Sequence, residues 1–168
     1  MKIVPELPVH RPAVLELNRL AFKGEEEVQL IENLQRDGDV LASLVAIDGD
    51  EIVGHILFSP LDINVNGARP AVVALAPMAV VPNRQNQGIG SKLIFRGIAE
   101  MKSASQAAII VLGHIKFYSR FGFRHDLSAN LACDYNQYDE FMGLELVKGS
   151  LAGMNGTCRY AKAFGALG

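Results

Sequence analysis

A chain of 168 residues has room for one domain with a sizeable core, and 49% hydrophobic with 20% charged residues is ordinary for a globular protein. A formal net charge of −2 and a pI near 6.1, with Lys and Arg scattered and not striped, leave no electrostatic footprint for nucleic acid. The longest apolar run, residues 71–81, is too short to span a bilayer and contains Pro77, so no membrane role is expected.

Residues 2–4 suit a short strand, and the opening Met1-Lys2-Ile3-Val4-Pro5-Glu6 breaks up too soon for a signal sequence. Pro12 through Phe22 reads as a first helix, with Val14, Leu17, Leu20 and Ala21 on one face, and Glu26 through Gln35 as a second. Leu41–Asp48 and Glu51–Pro60 are strands around Asp48-Gly49-Asp50, a tight hairpin signal. Asn66-Gly67 marks a turn before the strand near 71–81, whose unbroken apolar run suits burial on both faces. The helix from Gly88 carries Ile89, Leu93, Ile94, Gly97, Ile98 and Met101 on one face and Lys92, Arg96 and Glu100 on another. Ala107–Leu112 is a buried strand, Lys116–Phe121 a short helix, and Phe141–Val147 and Thr157–Phe164 two last strands. No repeat, low-complexity tract or linker divides the chain, so residues 1–168 are expected to form one domain.

The turn Gln85-Asn86-Gln87-Gly88-Ile89-Gly90-Ser91 carries the chemistry. Glycines that open a helix let several backbone N–H groups converge on an anion, with no side chain to block a phosphate oxygen. A P-loop needs a different glycine spacing before its Lys-Ser/Thr, and a dinucleotide fold needs a third glycine where Leu93 stands. The pattern Gln/Arg-x-x-Gly-x-Gly/Ala of an acyl-coenzyme A site fits Gln85, Gly88 and Gly90 in order and spacing; a glycine-rich helix start with no ligand fits as well. Pro77, inside an apparent central strand, calls for a bulge or for a strand that leaves its neighbour, and a splayed strand would offer free backbone groups to the amides of a pantetheine arm.

The segment Leu75-Ala76-Pro77-Met78-Ala79-Val80-Val81-Pro82, followed by Gln85-x-x-Gly88-x-Gly90, resembles the acetyl-coenzyme A signature of GNAT-superfamily N-acetyltransferases. Phe117-Tyr118-Ser119-Arg120-Phe121-Gly122-Phe123 resembles that superfamily's second signature, and Val111-Leu112-Gly113 before it is most similar to the bacterial YhbS-type subgroup. The tail from Phe141 to Phe164 is similar to that subgroup too. The resemblance implies an α/β (α+β) GNAT fold: a mixed sheet of about six to seven strands, splayed between two central parallel strands and flanked by about four helices. It also implies acetyl transfer from acetyl-coenzyme A to a primary amine of a small molecule or peptide, by direct attack and without an acyl-enzyme. A non-catalytic acyl-coenzyme A-binding module of the same fold is the alternative. The likeness gives Tyr118 the proton for the departing thiolate, a backbone N–H near Ala79 the developing oxyanion, and Val80 the pantetheine arm, with Met78 also among the coenzyme-binding residues. Gln85, Asn86, Gln87, Gly88, Ile89, Gly90 and Ser91 would cradle the pyrophosphate.

Many GNAT enzymes have Asn where this chain runs Val-Leu-Gly-His, ending at His114. For a general base, His55, Glu145 and a water chain stay open. Cys133 and Cys158 have no ligand or CxxC spacing and fit a reducing cytoplasm, and the four histidines form no metal pattern, so no metal is expected. The C-terminal strands leave pairing between two subunits open.

Overall fold

The computed structural model describes residues 1–64, 67–153 and 155–165. The elements run β1 (Lys2–Pro5), α1 (Arg11–Phe22), α2 (Glu26–Asp37), β2 (Ala42–Asp48), β3 (Glu51–Asn64), β4 (Val72–Val80), α3 (Ile89–Ser103), β5 (Ala108–Leu112), α4 (Ile115–Tyr118), β6 (Leu131–Ala132), β7 (Phe141–Glu145), β8 (Gly156–Tyr160) and α5 (Lys162–Gly165). The strands form one mixed sheet in the order β1-β2-β3-β4-β5-β7, with β8 on the far part of β3 and β6 on β8. β4–β5 is the parallel pair of that main path, as a crossover through α3 requires, and its other neighbours are antiparallel.

The two faces of the sheet bury different sets of side chains. Leu44, Ile56, Phe58, Val73, Leu75, Ile109 and Val111 point to the face covered by α3, through Ile89, Leu93, Ile94 and Met101. Val45 and Leu57 point to the other face, against Val14 of α1, Leu30, Ile31 and Leu34 of α2, and Ala163 and Phe164 of α5. The two-residue alternation along β2 and β3 therefore sorts each strand between two helical layers.

Several elements differ from the sequence reading. β3 runs on past Pro60 to Asn64. Its β2 pairing has ended at Phe58 and its β8 pairing begins only at Leu61, so Pro60 lies in a gap where a missing N–H costs nothing. The stretch Thr157–Phe164 is not one strand: β8 stops at Tyr160, and Ala163 and Phe164 are helical because their burial is against α2. β7 stops at Glu145, short of Val147. The short β6 was not foreseen; with it the sheet has eight strands, and α5 raises the helices among the described residues to five. Of the Asn66-Gly67 turn, Asn66 lies outside the described residues, and Gly67 takes φ +86° with its N–H donating to Asn64 Oδ1 at 2.9 Å. No helix among the described residues is long and apolar enough to cross a membrane.

Candidate active site

β4 and β5 pair only from Val72↔Ala108 to Leu75↔Val111. Beyond Leu75 the strands part. β4 stays with β3, pairing Met78, Ala79 and Val80 with Ile56, His55 and Gly54, while β5 stays with β7, and the Gly113 N–H donates to Glu140 O at 3.1 Å. Ala76 and Pro77 stand opposite the single residue Leu57, a bulge that lets proline sit in an interior strand. The splay expected from Pro77 is therefore present, and one edge of β4 from Ala76 to Val80 faces a cleft of about 840 Å³.

The turn from Val81 to α3 forms the floor on the α3 side. Gly88, the N-cap of α3, takes φ +81°, a left-handed conformation that favours glycine, and a Cβ there would meet nothing within 4 Å. The N–H groups of the first turn of α3 have no carbonyl one turn back to bond, so they are free for an anion. Arg84 adds a cation beside them, fixed by Asp48 Oδ2 at 2.6 Å and by Gln87 Oε1 at 3.2 Å. The Arg84 hydrogen bond and the N-terminal ammonium hold the Asp48 carboxyl below its ordinary value.

Met78, Ala79, Val80, Gln85, Asn86, Gly88, Ile89, Gly90, Ser91 and Tyr118 all line this cleft. Gln87 does not: its side chain turns back, with Nε2 donating to Asn83 O at 3.3 Å. The Val80 carbonyl accepts a hydrogen bond from Gln85 Nε2 at 3.1 Å, a contact the sequence did not suggest. Arg84, Arg120 and the α1–α2 residues Ala21, Phe22, Glu27 and Leu30 line the cleft without having been singled out. A basic residue just before the glycine turn was the available signal for Arg84; the helical residues carry none.

Tyr118 sits at the end of α4, buried edge-on against Phe117 at 5.0 Å and Phe123 at 5.6 Å between centroids. Burial pushes its phenol up to about 12. The hydroxyl has no hydrogen-bond partner among the described residues, yet the residue lines the cleft. A Cβ at Gly113 would lie 2.4 Å from Tyr118 Cε2, so only glycine admits the ring where it stands. Arg120 lies over the rings of Phe117 and Phe121 at 4.9 and 5.4 Å.

Neither side chain weighed as a general base reaches the cleft. Glu145 pairs with Ala108 at the opposite end of β5, where its carboxylate accepts the Leu151 N–H at 3.3 Å. His55 is fully buried: Nδ1 meets Asn18 Nδ2 at 3.1 Å and Nε2 meets Ser43 Oγ at 2.9 Å, with Ser43 in turn bonded to Glu6 and Glu6 to Arg11. An amide donor on Nδ1 leaves the proton on Nε2, so this is a neutral imidazole in a structural chain. The alternation that could aim His55 at the cleft instead aims it at α1, since Ile56 beside it faces α3.

That burial has a consequence for acid stability. Desolvation pulls His55 from 6.5 to about 4, outweighing the attraction of Glu6. Above about 6.5 both folded and unfolded chains are neutral there, and the group adds no pH dependence. Between about 6.5 and about 4 only the unfolded chain takes up the proton, so stability falls as pH falls, by on the order of 3 kcal/mol in all. Urea unfolding of the parent and of His55→Gln between pH 7 and 4 checks this. The variant is expected to show the shallower decline, and equal declines would assign the acid loss to carboxylates alone.

The parallel pair β4–β5 thus splays onto a glycine turn that opens a helix. Residues 10–125 match the acetyltransferase (GNAT) domain model. The N-acetyltransferase YhbS of Escherichia coli K12 is 31% identical over 166 residues, covering 98% of each chain. The crystal structure of Escherichia coli YhbS in complex with CoA superposes with a TM-score of 0.90, covering 99% of this chain and 93% of that one at 31% identity. A GNAT acetyltransferase of Brucella melitensis in complex with acetyl-CoA gives a TM-score of 0.80 at 28% identity, covering 97% of both. The chain belongs to the GNAT acetyltransferase family, and its fold is the GNAT fold. By family it is an N-acetyltransferase.

Proposed function

We propose that the protein transfers an acetyl group from acetyl-coenzyme A to a primary amine by direct attack within a ternary complex. The observation that carries the reading is the splay itself: β4 from Ala76 to Val80, left by β5 and with the Val80 carbonyl held by Gln85 Nε2, lies in one cleft with the glycine turn and Tyr118. The residues suit coenzyme A. The free N–H groups at the start of α3, with Arg84 beside them, match a pyrophosphate, and Gly88 leaves room where a side chain would intrude. The edge of β4 that β5 has left suits the amides of pantetheine. Complexes of the Escherichia coli and Brucella melitensis relatives with CoA and acetyl-CoA support the same assignment.

Acetyl-coenzyme A supplies the acetyl group already activated as a thioester. The chain orients it and manages charge. The N–H near Ala79 would donate to oxygen charge that develops during transfer. Tyr118, raised to about 12, keeps its proton throughout the physiological range, and a hydroxyl with no partner among the described residues is free to donate it to a departing thiolate. With His55 sealed in the core and Glu145 at the wrong end of β5, neither of these two takes the proton from the amine.

Thiol release from acetyl-coenzyme A across a library of primary amines tests the reading. Release that depends on an amine is expected. Tight coenzyme binding with no release for any amine would support the non-catalytic binding module instead.

A further inference from the structure

Glu27 is the one carboxylate among the described residues that lines the cleft. It is half-buried, and whereas Arg19 holds its neighbour Glu25, no ion pair or hydrogen bond engages the Glu27 side chain among the described residues. Glu27 lies one turn before Leu30, so the two share a face of α2. Leu30 packs in the cluster that includes Val45, Leu57 and Ala76, on the side of the sheet away from α3. The splay opens through the sheet at Ala76, so the cleft joins the two sides. Its cations, Arg84 and Arg120, stand with the α3 turn and α4, and its single carboxylate stands across the splay on α2. Next to that carboxylate the lining is apolar, with Ala21, Leu30 and the ring of Phe22, which is 42% exposed.

We infer that Glu27 is the specificity-determining carboxylate of the acceptor side, holding primary amines that arrive as ammonium ions on an apolar body. The inference rests on the acetyl-transfer reading above and names the acceptor class for the same cleft. A cationic acceptor entering from the α1–α2 side meets an unpaired, partly desolvated carboxylate, where a charge-assisted hydrogen bond is stronger than one in open water. Phe22 and Leu30 then take the apolar body. The same polarity keeps the two substrates in register, because an anionic group at this end would face Glu27 unscreened. An acid in the first turn of a helix also complements the helix dipole, and a role confined to that would leave ligand preference unchanged.

Calorimetry on the protein saturated with coenzyme A separates the two. The probes are 2-phenylethylamine, a cation at neutral pH, and 2-phenylethanol, of nearly the same shape and uncharged. The parent is expected to prefer the amine by about tenfold, and Glu27→Gln to lose that preference while its affinity for coenzyme A stays unchanged. No preference in the parent, or the same preference in Glu27→Gln, overturns the inference. Thiol release is read separately: a parent that selects the amine through Glu27 but releases no thiol keeps this inference and removes acetyl transfer.

Discussion

Replacing Tyr118 with Phe is expected to lower kcat with the best amine acceptor by about 10²–10⁴-fold, the usual contribution of a positioned general acid. Affinity for coenzyme A should stay within about twofold, because the proton is used only as the thiolate departs. The substitution is clean. The ring contacts with Phe117 and Phe123 remain, and the lost hydroxyl has no partner among the described residues to leave unsatisfied. Gly113→Ala approaches the same group from behind. Its Cβ would stand 2.4 Å from the ring, so Tyr118 must move off its line into the cleft, and kcat should fall together with about 1–3 kcal/mol of stability. Stopped-flow or steady-state thiol release gives kcat, and calorimetry gives the coenzyme affinity. A Tyr118→Phe enzyme whose kcat remains within about twofold of the parent makes Tyr118 a packing residue and leaves protonation of the thiolate to water.

Features written in local sequence could be read without coordinates. Pro77 in an apolar run called for a bulge or a parting of strands, because proline removes a donor that an interior ladder needs, and the structure has both. Gly88 at a helix start announced a tight left-handed entry into α3 for the same kind of reason, a backbone demand met at one place in the chain. Features created by contact between distant segments could not be read. Pro60 looks like the end of a strand until β8 is seen to take over from β2 beyond it. Phe164 looks like a strand residue until α2 is seen to bury it. His55 offers the right chemistry for a base, and only its seat between Asn18 and Ser43 shows that both nitrogens are already used. The proposed acceptor side suffers most from this. Phe22 and Glu27 are ordinary helix residues in sequence, and they line the same cleft as β4 only because α1 and α2 lie across the open splay.

The glycine turn provides the second large effect. Gly88→Val and Gly90→Val are each expected to weaken acetyl-coenzyme A binding at least tenfold, and the two act by different routes. At Gly88 the space ahead of the Cβ is open cleft, so a valine side chain fills volume that a phosphate needs, and φ +81° also penalises a β-branched residue. At Gly90 the backbone is ordinary helix, and the Cβ would lie 3.3 Å from Phe117 Cζ, so the ring must yield and narrow the cleft. Gly88→Asn separates obstruction from strain. Asparagine tolerates the left-handed region far better than valine, yet it fills the same space. If the turn binds pyrophosphate, Gly88→Asn loses most of the affinity that Gly88→Val loses, while its thermal midpoint stays close to the parent's. If only the valine variant is weakened, the loss comes from a distorted turn and the phosphates lie elsewhere. Folded variants at both positions that bind acetyl-coenzyme A as tightly as the parent would remove the turn of residues 85–91 from the coenzyme site.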